Sequence, residues 1–332
     1  MPRFLTATVT EILGSRAGLQ RILADGRRAY VLTELVGTVA VGDEVVLNVT
    51  ATDLRLGTGG WDVVHWNLSR RDWQEPGAGH VMKLRYTSLQ ADVGVAEESS
   101  TLDTPLEGLP VVACFLHSQI APVALAFADA APGRKLGYVM TDSAALPLAL
   151  SDLVVALREQ GLLHTTVSVG QAFGGELEAV NLISGLAVAR SAGCDAVVVG
   201  PGPGVVGTGT PSGFSGVEVA SVIDLADAVA ARPVVAVRWS GADPRHRHQG
   251  VSHHVSTVLK LAHAGAWVAA PRDYELGELP PQHERKIVEV PDISAGLLRV
   301  GVTTMGRGPE EDMGFFEMAA AAGVVAAGMV DS

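Results

Sequence analysis

Apolar and polar residues follow two different rhythms along this chain. Up to residue 70 or so, short alternating runs (Leu5–Ile12, Ala29–Leu32, Glu44–Val49, Val63–Trp66) are separated by turn signals at Asp25-Gly26, Gly42-Asp43 and residues 57–60. A period of two marks half-buried strands, so residues 1–75 are expected to form a small β-barrel-like domain, with no helix before residue 70. Residues 76–107 read as a connector. Its phrase GHVMKLRYTSLQ alternates Lys83 and Arg85 with apolar residues as on a strand, and the acidic stretch 97–104 reads as a linker.

From Leu109 onward the runs lengthen and become nearly all apolar, as strands buried on both faces require. They are Val111–Leu116, Leu136–Met140, Thr165–Val169, Ala196–Val199, Val234–Val237 and Trp267–Ala269. Helical stripes lie between them. Leu150, Leu153, Val154 and Leu157 form one, with Gly161 beyond it; Leu177, Val180, Ile183 and Ala187 form another, stopped by Gly193. Strand and helix in alternation imply βαβ units. Residues 108–332 are therefore expected to be an α/β, Rossmann-like domain with a doubly wound, mainly parallel sheet of about six strands. The tail adds a strand-like run, Leu297–Met305, and a helix opening near Pro309 whose first turn carries Glu310, Glu311 and Asp312, where negative charge is favoured.

Composition narrows the function. The 332-residue chain has net charge −12 and no run of Lys or Arg, so neither nucleic acid nor an anionic membrane is an expected partner. Cys114 and Cys194 both lie in apolar strand patterns and read as buried thiols in a reducing compartment. The N-terminus lacks the apolar core of a signal peptide, and the best membrane-span candidate, Met318–Val330, is short; a cytoplasmic setting is expected.

Candidate chemistry gathers where the strands end, because open parallel sheets bind ligands outside their carboxyl ends. The stretch from Cys194 to Glu218 runs from a strand into a glycine-rich loop, then to Ser215 and Glu218 in capping-box spacing, which places a helix start near Gly216. Gly204, Gly207, Thr208, Gly209 and Thr210 could present bare N–H groups and hydroxyls to an anion; a tight loop shaped only by backbone geometry is the equal alternative. The string from Gly202 to Gly207 matches G-x-G-x-x-G, but the expected helix opens several residues too late and Pro203 lacks a donor, so a dinucleotide site is not supported. His117, Gln171, Arg238 and Arg245 end or follow other strands and join the ligand-binding candidates.

The segment DPRHRHQGVSHH, residues 243–254, holds four of the ten histidines. Ser252 is a fitting N-cap for a helix Val255–Ala264, which puts His253 and His254 in or beside its first turn, where the positive helix end disfavours imidazolium and keeps the ring neutral and fit to be a general base or metal ligand. His253 and His254 are the candidate bases, with Asp243 or Asp142 to hold one of them. His246 and His248 are weaker metal-ligand candidates; no HExxH or Cys/His spacing accompanies them, and no metal is expected. No cofactor is indicated. No G-x-S-x-G elbow is present.

The phrases GHVMKLRYTSLQ, GYVMTDSAALPLALS, GQAFGGELEAVN, VGPGPGVVGTGTPSGFSG, DPRHRHQGVSHH and TTMGRGPEEDMGFF together resemble an uncharacterised bacterial family, the domain of unknown function family 3866, over nearly the whole chain. The resemblance implies a bacterial, cytoplasmic setting and that barrel and α/β parts belong together; it carries no activity or catalytic residues. The residues themselves lead to an enzyme acting on a small anionic metabolite, phosphorylated or carboxylated, by hydrolysis or group transfer. The alternative is a non-catalytic ligand sensor or homo-oligomeric scaffold.

Overall fold

The computed structural model describes residues 1–56, 59–75, 77, 79–98, 102 and 104–330. The chain divides into two compact units, Met1–Gly94 and Val95–Ser332.

In the first unit β1 (Phe4–Arg16), β2 (Leu19–Ala24), β3 (Arg27–Leu32), β4 (Glu44–Asn48) and β5 (Asp62–Asn67) close a barrel in the order β1-β2-β3-β5-β4. Two irregularities in the β1–β2 register, at Val9/Glu11 and Ile12/Gly14, bend the long first strand so that it pairs with both β2 and β4. Asp25 and Gly26 take positive φ in the β2–β3 turn, as a two-residue hairpin requires. Alternate residues such as Val9, Ile22, Val31, Val45 and Leu47 fill the interior. Two helices of a single turn, α1 (Thr33–Val36) and α2 (Thr50–Asp53), sit in the connections, against the expectation of none before residue 70. Each is four residues long, too short to leave an apolar period. Residues 57–58 of the expected turn at 57–60 lie outside the described residues. So do residues 99–101 and 103 of the expected linker. Lys83 belongs to a short ribbon, β6 (Val81–Lys83) with β7 (Ala91–Val93), and is buried.

The second unit is built on an eight-stranded, wholly parallel sheet. Its strands are β8 (Pro110–Cys114), β9 (Leu136–Thr141), β10 (Thr165–Ser168), β11 (Leu177–Glu178), β12 (Ala196–Pro201), β13 (Arg232–Ala236), β16 (Trp267–Pro271) and β17 (Glu284–Val288), in the order β11-β10-β9-β12-β8-β13-β16-β17. A separate ribbon pairs β14 (Trp239–Ser240) with β15 (Gly250–Val251). Strands β8, β9 and β12 are buried along their whole length, which is why their sequences are continuous apolar runs. Helices α3 (Ile120–Ala130), α4 (Asp152–Glu159), α8 (Ser294–Val300) and α9 (Pro309–Val330) form one layer; α5 (Leu182–Ser191), α6 (Val219–Ala228) and α7 (His253–Leu261) form the other. This is the doubly wound arrangement.

Two of the expected elements change type. Leu177 lies on the edge strand β11, so the helical stripe begins only at Leu182, capped by Asn181. The run from Leu297 to Met305 is not a strand. The Asp292 carboxylate accepts the Ser294 N–H and opens α8, Leu297 and Val300 are buried at helical spacing, and Gly301 ends the helix in the left-handed region. Helix α9 is long and apolar enough to cross a membrane, yet it is a core helix here. Phe315, Phe316, Met318 and Ala319 are buried, and Gly323 lets its backbone approach Val123 of α3.

Candidate functional site

All eight strands point the same way, so the loops leaving β8, β9, β10, β12 and β13 share one edge of the sheet. Three clusters of polar side chains lie there.

The loop after β13 is closed by the β14–β15 ribbon and organised from inside by Asp243. Its carboxylate accepts two guanidinium N–H bonds from Arg245, at 2.9 and 2.7 Å, and the Arg245 backbone N–H at 3.0 Å. The Arg245 bonds hold the Asp243 carboxyl well below the usual carboxylate range. Asp312 performs the same service from α9. It sits at a break in that helix (φ −152°, ψ 53°) and accepts from the Ser240 hydroxyl, the Gly241 N–H and Arg307 Nε. Asp312 was expected to serve the helix end; instead it is buried and binds the β13 loop.

Ser252 caps α7, accepting the His254 N–H, so α7 opens at His253, two residues earlier than expected. Three imidazoles then converge. His248 Nδ1 hydrogen-bonds Ser252 Oγ at 2.7 Å, His253 Nδ1 donates to the Arg247 carbonyl at 3.3 Å, and His254 Nδ1 accepts from Arg238 Nη1 at 2.9 Å. Ring centroids lie 5.0 Å (His248–His253), 4.9 Å (His248–His254) and 4.4 Å (His253–His254) apart. Burial, and then the Arg238 charge, push His254 down to about 2 and His248 down to about 3, so both rings are neutral. His253 differs. With its Nδ1 proton given to a carbonyl, Nε2 keeps a lone pair, and that buried nitrogen has no hydrogen-bond partner among the described residues.

Arg238 is the second group of interest. It is 5% exposed, and among the described residues its guanidinium hydrogen-bonds a neutral ring and no carboxylate. Burial and then the Arg245 charge lower it to about 10. Four arginines (238, 245, 247, 307) face two carboxylates (Asp243, Asp312) in this region of a chain whose net charge is −12.

The glycine-rich loop meets this cluster through an aromatic ring that the sequence reading passed over. Phe214 stacks on His254, centroids 3.6 Å apart and 3° from parallel, and lies edge-on to His253. The loop's own donors are largely spent internally. Thr208 N–H bonds Gly213 O, Thr210 N–H bonds Thr208 Oγ1, and Gly213 N–H bonds Thr210 Oγ1. Gly207 pairs with Phe214 in an isolated bridge, and Gly204 and Gly209 have open space around their α-carbons. The expected capping box does not form. A 3-10 turn covers Ser215–Glu218 before α6, Ser215 Oγ accepts the Val206 N–H, and the Glu218 carboxylate turns to the hydroxyls of Thr141 (2.6 Å) and Ser143 (2.5 Å). Burial raises the Glu218 carboxyl above its ordinary value.

The other sequence-selected residues tie strand ends together. His117 Nδ1 donates to the Pro201 carbonyl (3.0 Å) and Nε2 pairs with the Ser151 hydroxyl (2.6 Å), while Tyr138 donates to the same carbonyl (2.9 Å). Both ring nitrogens are thereby used, and burial lowers His117 to about 4. Asp142 accepts the Gln171 N–H at 2.9 Å. Among the described residues neither Asp142 nor Asp243 hydrogen-bonds a ring of the histidine triad. His246 is exposed and outside it. A cavity of about 560 Å³ lies at the opposite, amino edge, lined by Arg134, Arg190, Arg232 and Trp267, and none of the sequence-selected residues reach it.

A family model described as protein of unknown function (DUF3866) matches residues 28–323. The chain belongs to the DUF3866 family. The DUF3866 match takes in all three clusters, from His117 to Asp312, and the barrel from β3 onward, leaving β1 and β2 outside it. No curated protein and no solved structure matches the chain.

Proposed function

We propose that this DUF3866 protein binds a small anionic metabolite, phosphorylated or carboxylated, beside Arg238 and acts on it as a hydrolase or transferase through His253. The observation that carries the reading is the buried guanidinium of Arg238, with no carboxylate among the described residues hydrogen-bonded to it. Asp243 attracts Arg238 without hydrogen-bonding it, while Arg245, Arg307 and Arg247 repel it, and an anion supplied from outside would offset that excess of positive charge. Arg245 and Arg307 are committed to Asp243 and Asp312, which leaves Arg238, the buried one, and Arg247, exposed, as the cations of this region able to take a ligand. The lone pair on His253 Nε2 stands in the same cluster and is the group able to accept a proton. His254, with Nδ1 engaged by Arg238, positions rather than reacts.

The test is a melting-temperature titration with phosphate, sulfate and small carboxylates. A ligand that binds only the native state raises the melting temperature saturably. Arg238→Met should abolish that response while raising the melting temperature of the ligand-free protein, because it removes a buried charge and keeps the volume. A wild-type protein blind to every anion, or an Arg238→Met variant that responds like the wild type, defeats the reading. Lack of a carboxylate behind His253 favours a second reading, a binding module without chemistry. It prevails if the bound metabolite is identified and never converted.

A further inference from the structure

We infer that His248, His253 and His254 form a three-histidine site for a borderline transition metal, such as zinc or cobalt(II). The inference rests on the proposed anion site and reassigns the His253 Nε2 lone pair from proton acceptor to ligand, in which case the nucleophile would be a water held at the fourth position rather than one activated by the ring. Each of the three histidines offers one ring nitrogen, and these atoms lie within 4.8 Å of one another. Zinc–nitrogen bonds of about 2.0–2.1 Å in a tetrahedral site put such nitrogens about 3.3 Å apart, so the triad closes by up to about 1.5 Å on loading. His253, the least buried of the three, is the one able to move.

Two of the outer nitrogens are already arranged as metal-bound histidines require. A ligating imidazole donates its other N–H to a carbonyl, carboxylate or hydroxyl. His253 Nδ1 donates to the Arg247 carbonyl, and His248 Nδ1 meets the Ser252 hydroxyl, itself fixed as the cap of α7. The remaining nitrogen, His253 Nε2, is buried and unpartnered, which is what a missing Lewis acid leaves behind. Phe214, stacked on His254, supplies an apolar wall.

His254 adds a consequence. Ligation through Nε2 puts the proton on Nδ1, where Arg238 now donates. Loading the metal therefore releases the Arg238 guanidinium, and the freed fork is the natural partner of an anionic group. Three protein ligands also leave a fourth position for water or an oxygen of that anion. The spacing His248-x4-His253-His254 resembles no familiar metal motif, so only the fold brings the ligands together.

The test uses the full chain without a histidine tag, stripped with chelator and titrated with cobalt(II). The expected result is a tetrahedral ligand-field absorption that saturates at about one ion per chain and is displaced by zinc. His248→Ala and His253→Ala should each weaken binding by about tenfold or more. His246→Ala, in the same loop but outside the triad, should bind as the wild type does. If His253→Ala fails to fold, His253→Asn is read in its place. Arg238→Met should keep the cobalt spectrum while losing the phosphate-induced rise in melting temperature, so the metal site and the anion site fail separately. No cobalt spectrum in the wild type, or one unchanged in both His248→Ala and His253→Ala, overturns the inference.

Discussion

Gln119 offers the sharpest test of how the site's floor is held. It is fully buried at the carboxyl end of β8. Its Oε1 accepts the backbone N–H groups of Phe115 (2.8 Å) and Leu116 (3.1 Å), and Nε2 donates to the Ala236 carbonyl at the end of β13 (2.8 Å). Gln119→Met keeps the volume and strips all three bonds, leaving two donors and one acceptor without partners. Each costs about 1–3 kcal/mol in the interior, so with partial relaxation the loss should be about 3–6 kcal/mol. For a unit of this size that corresponds to a fall of roughly 6–24 °C in melting temperature. Urea unfolding followed by circular dichroism should show a lower midpoint with an unchanged slope, the signature of lost stability without a change in exposed surface. Since His117 lies two residues before Gln119 and Arg238 two residues after Ala236, the phosphate response should weaken as well. A loss below about 1 kcal/mol would refute the argument, because it would mean the strand ends find other partners at little cost.

Two further outcomes follow from the same geometry. The Glu218 carboxyl, raised by burial, contributes stability that is fully present below its unfolded value of about 4.3 and is lost as pH rises through its folded value. Glu218→Gln, neutral throughout, should therefore gain on the wild type in melting temperature as pH rises above about 4, and a difference independent of pH would contradict this. A Cβ on Gly323 would overlap the Val123 carbonyl oxygen, whereas nothing lies within 4 Å of one on Gly209. Gly323→Val should cost about 1–3 kcal/mol or more by parting α9 from α3. Gly209→Ala should stay within about 0.5 kcal/mol; equal losses in chemical denaturation would be the contrary result.

The parts of the fold legible in sequence are those where burial is complete. β8, β9 and β12 are covered on both faces, and their apolar runs could hardly be anything else at that length. Legibility fails at the margins of the sheet. β17, with Glu284, Arg285 and Lys286, carries the charges that keep an edge strand from pairing further, and those charges hide it from an apolar search. β11 has two residues and no pattern to show. The run Leu297–Val302 is apolar enough for a strand. What makes it a helix is local, an Asp292 turn before it and Gly301 after it, and period alone does not weigh such signals.

The site divides along a different line. The sequence marks the chemistry, since His248, His253, His254 and Arg238 stand out in a chain of net charge −12, but the partners that assign roles are remote. Asp312 reaches Ser240 across 72 positions, and Phe214 reaches His254 across 40. Such contacts add to what local bonding sets, for Asp243 is consumed in holding its loop by Arg245, two residues on, and does not assist a base. They also separate two neighbouring histidines, because successive helical positions diverge by about 100°. His254 turns to Arg238 and Phe214, while His253 turns its Nδ1 to the Arg247 carbonyl and keeps Nε2 free. Elsewhere at this edge the chain satisfies its buried polar groups with care, as His117, Gln119 and Asp312 show. A guanidinium whose hydrogen bond goes to a neutral ring and an imidazole nitrogen without a partner among the described residues, one histidine apart, depart from that pattern together. Sequences violate local consistency where function demands it, and two adjacent violations of opposite electronic character, a cation seeking an anion and a lone pair seeking a proton or a metal, describe the two halves of one ligand site.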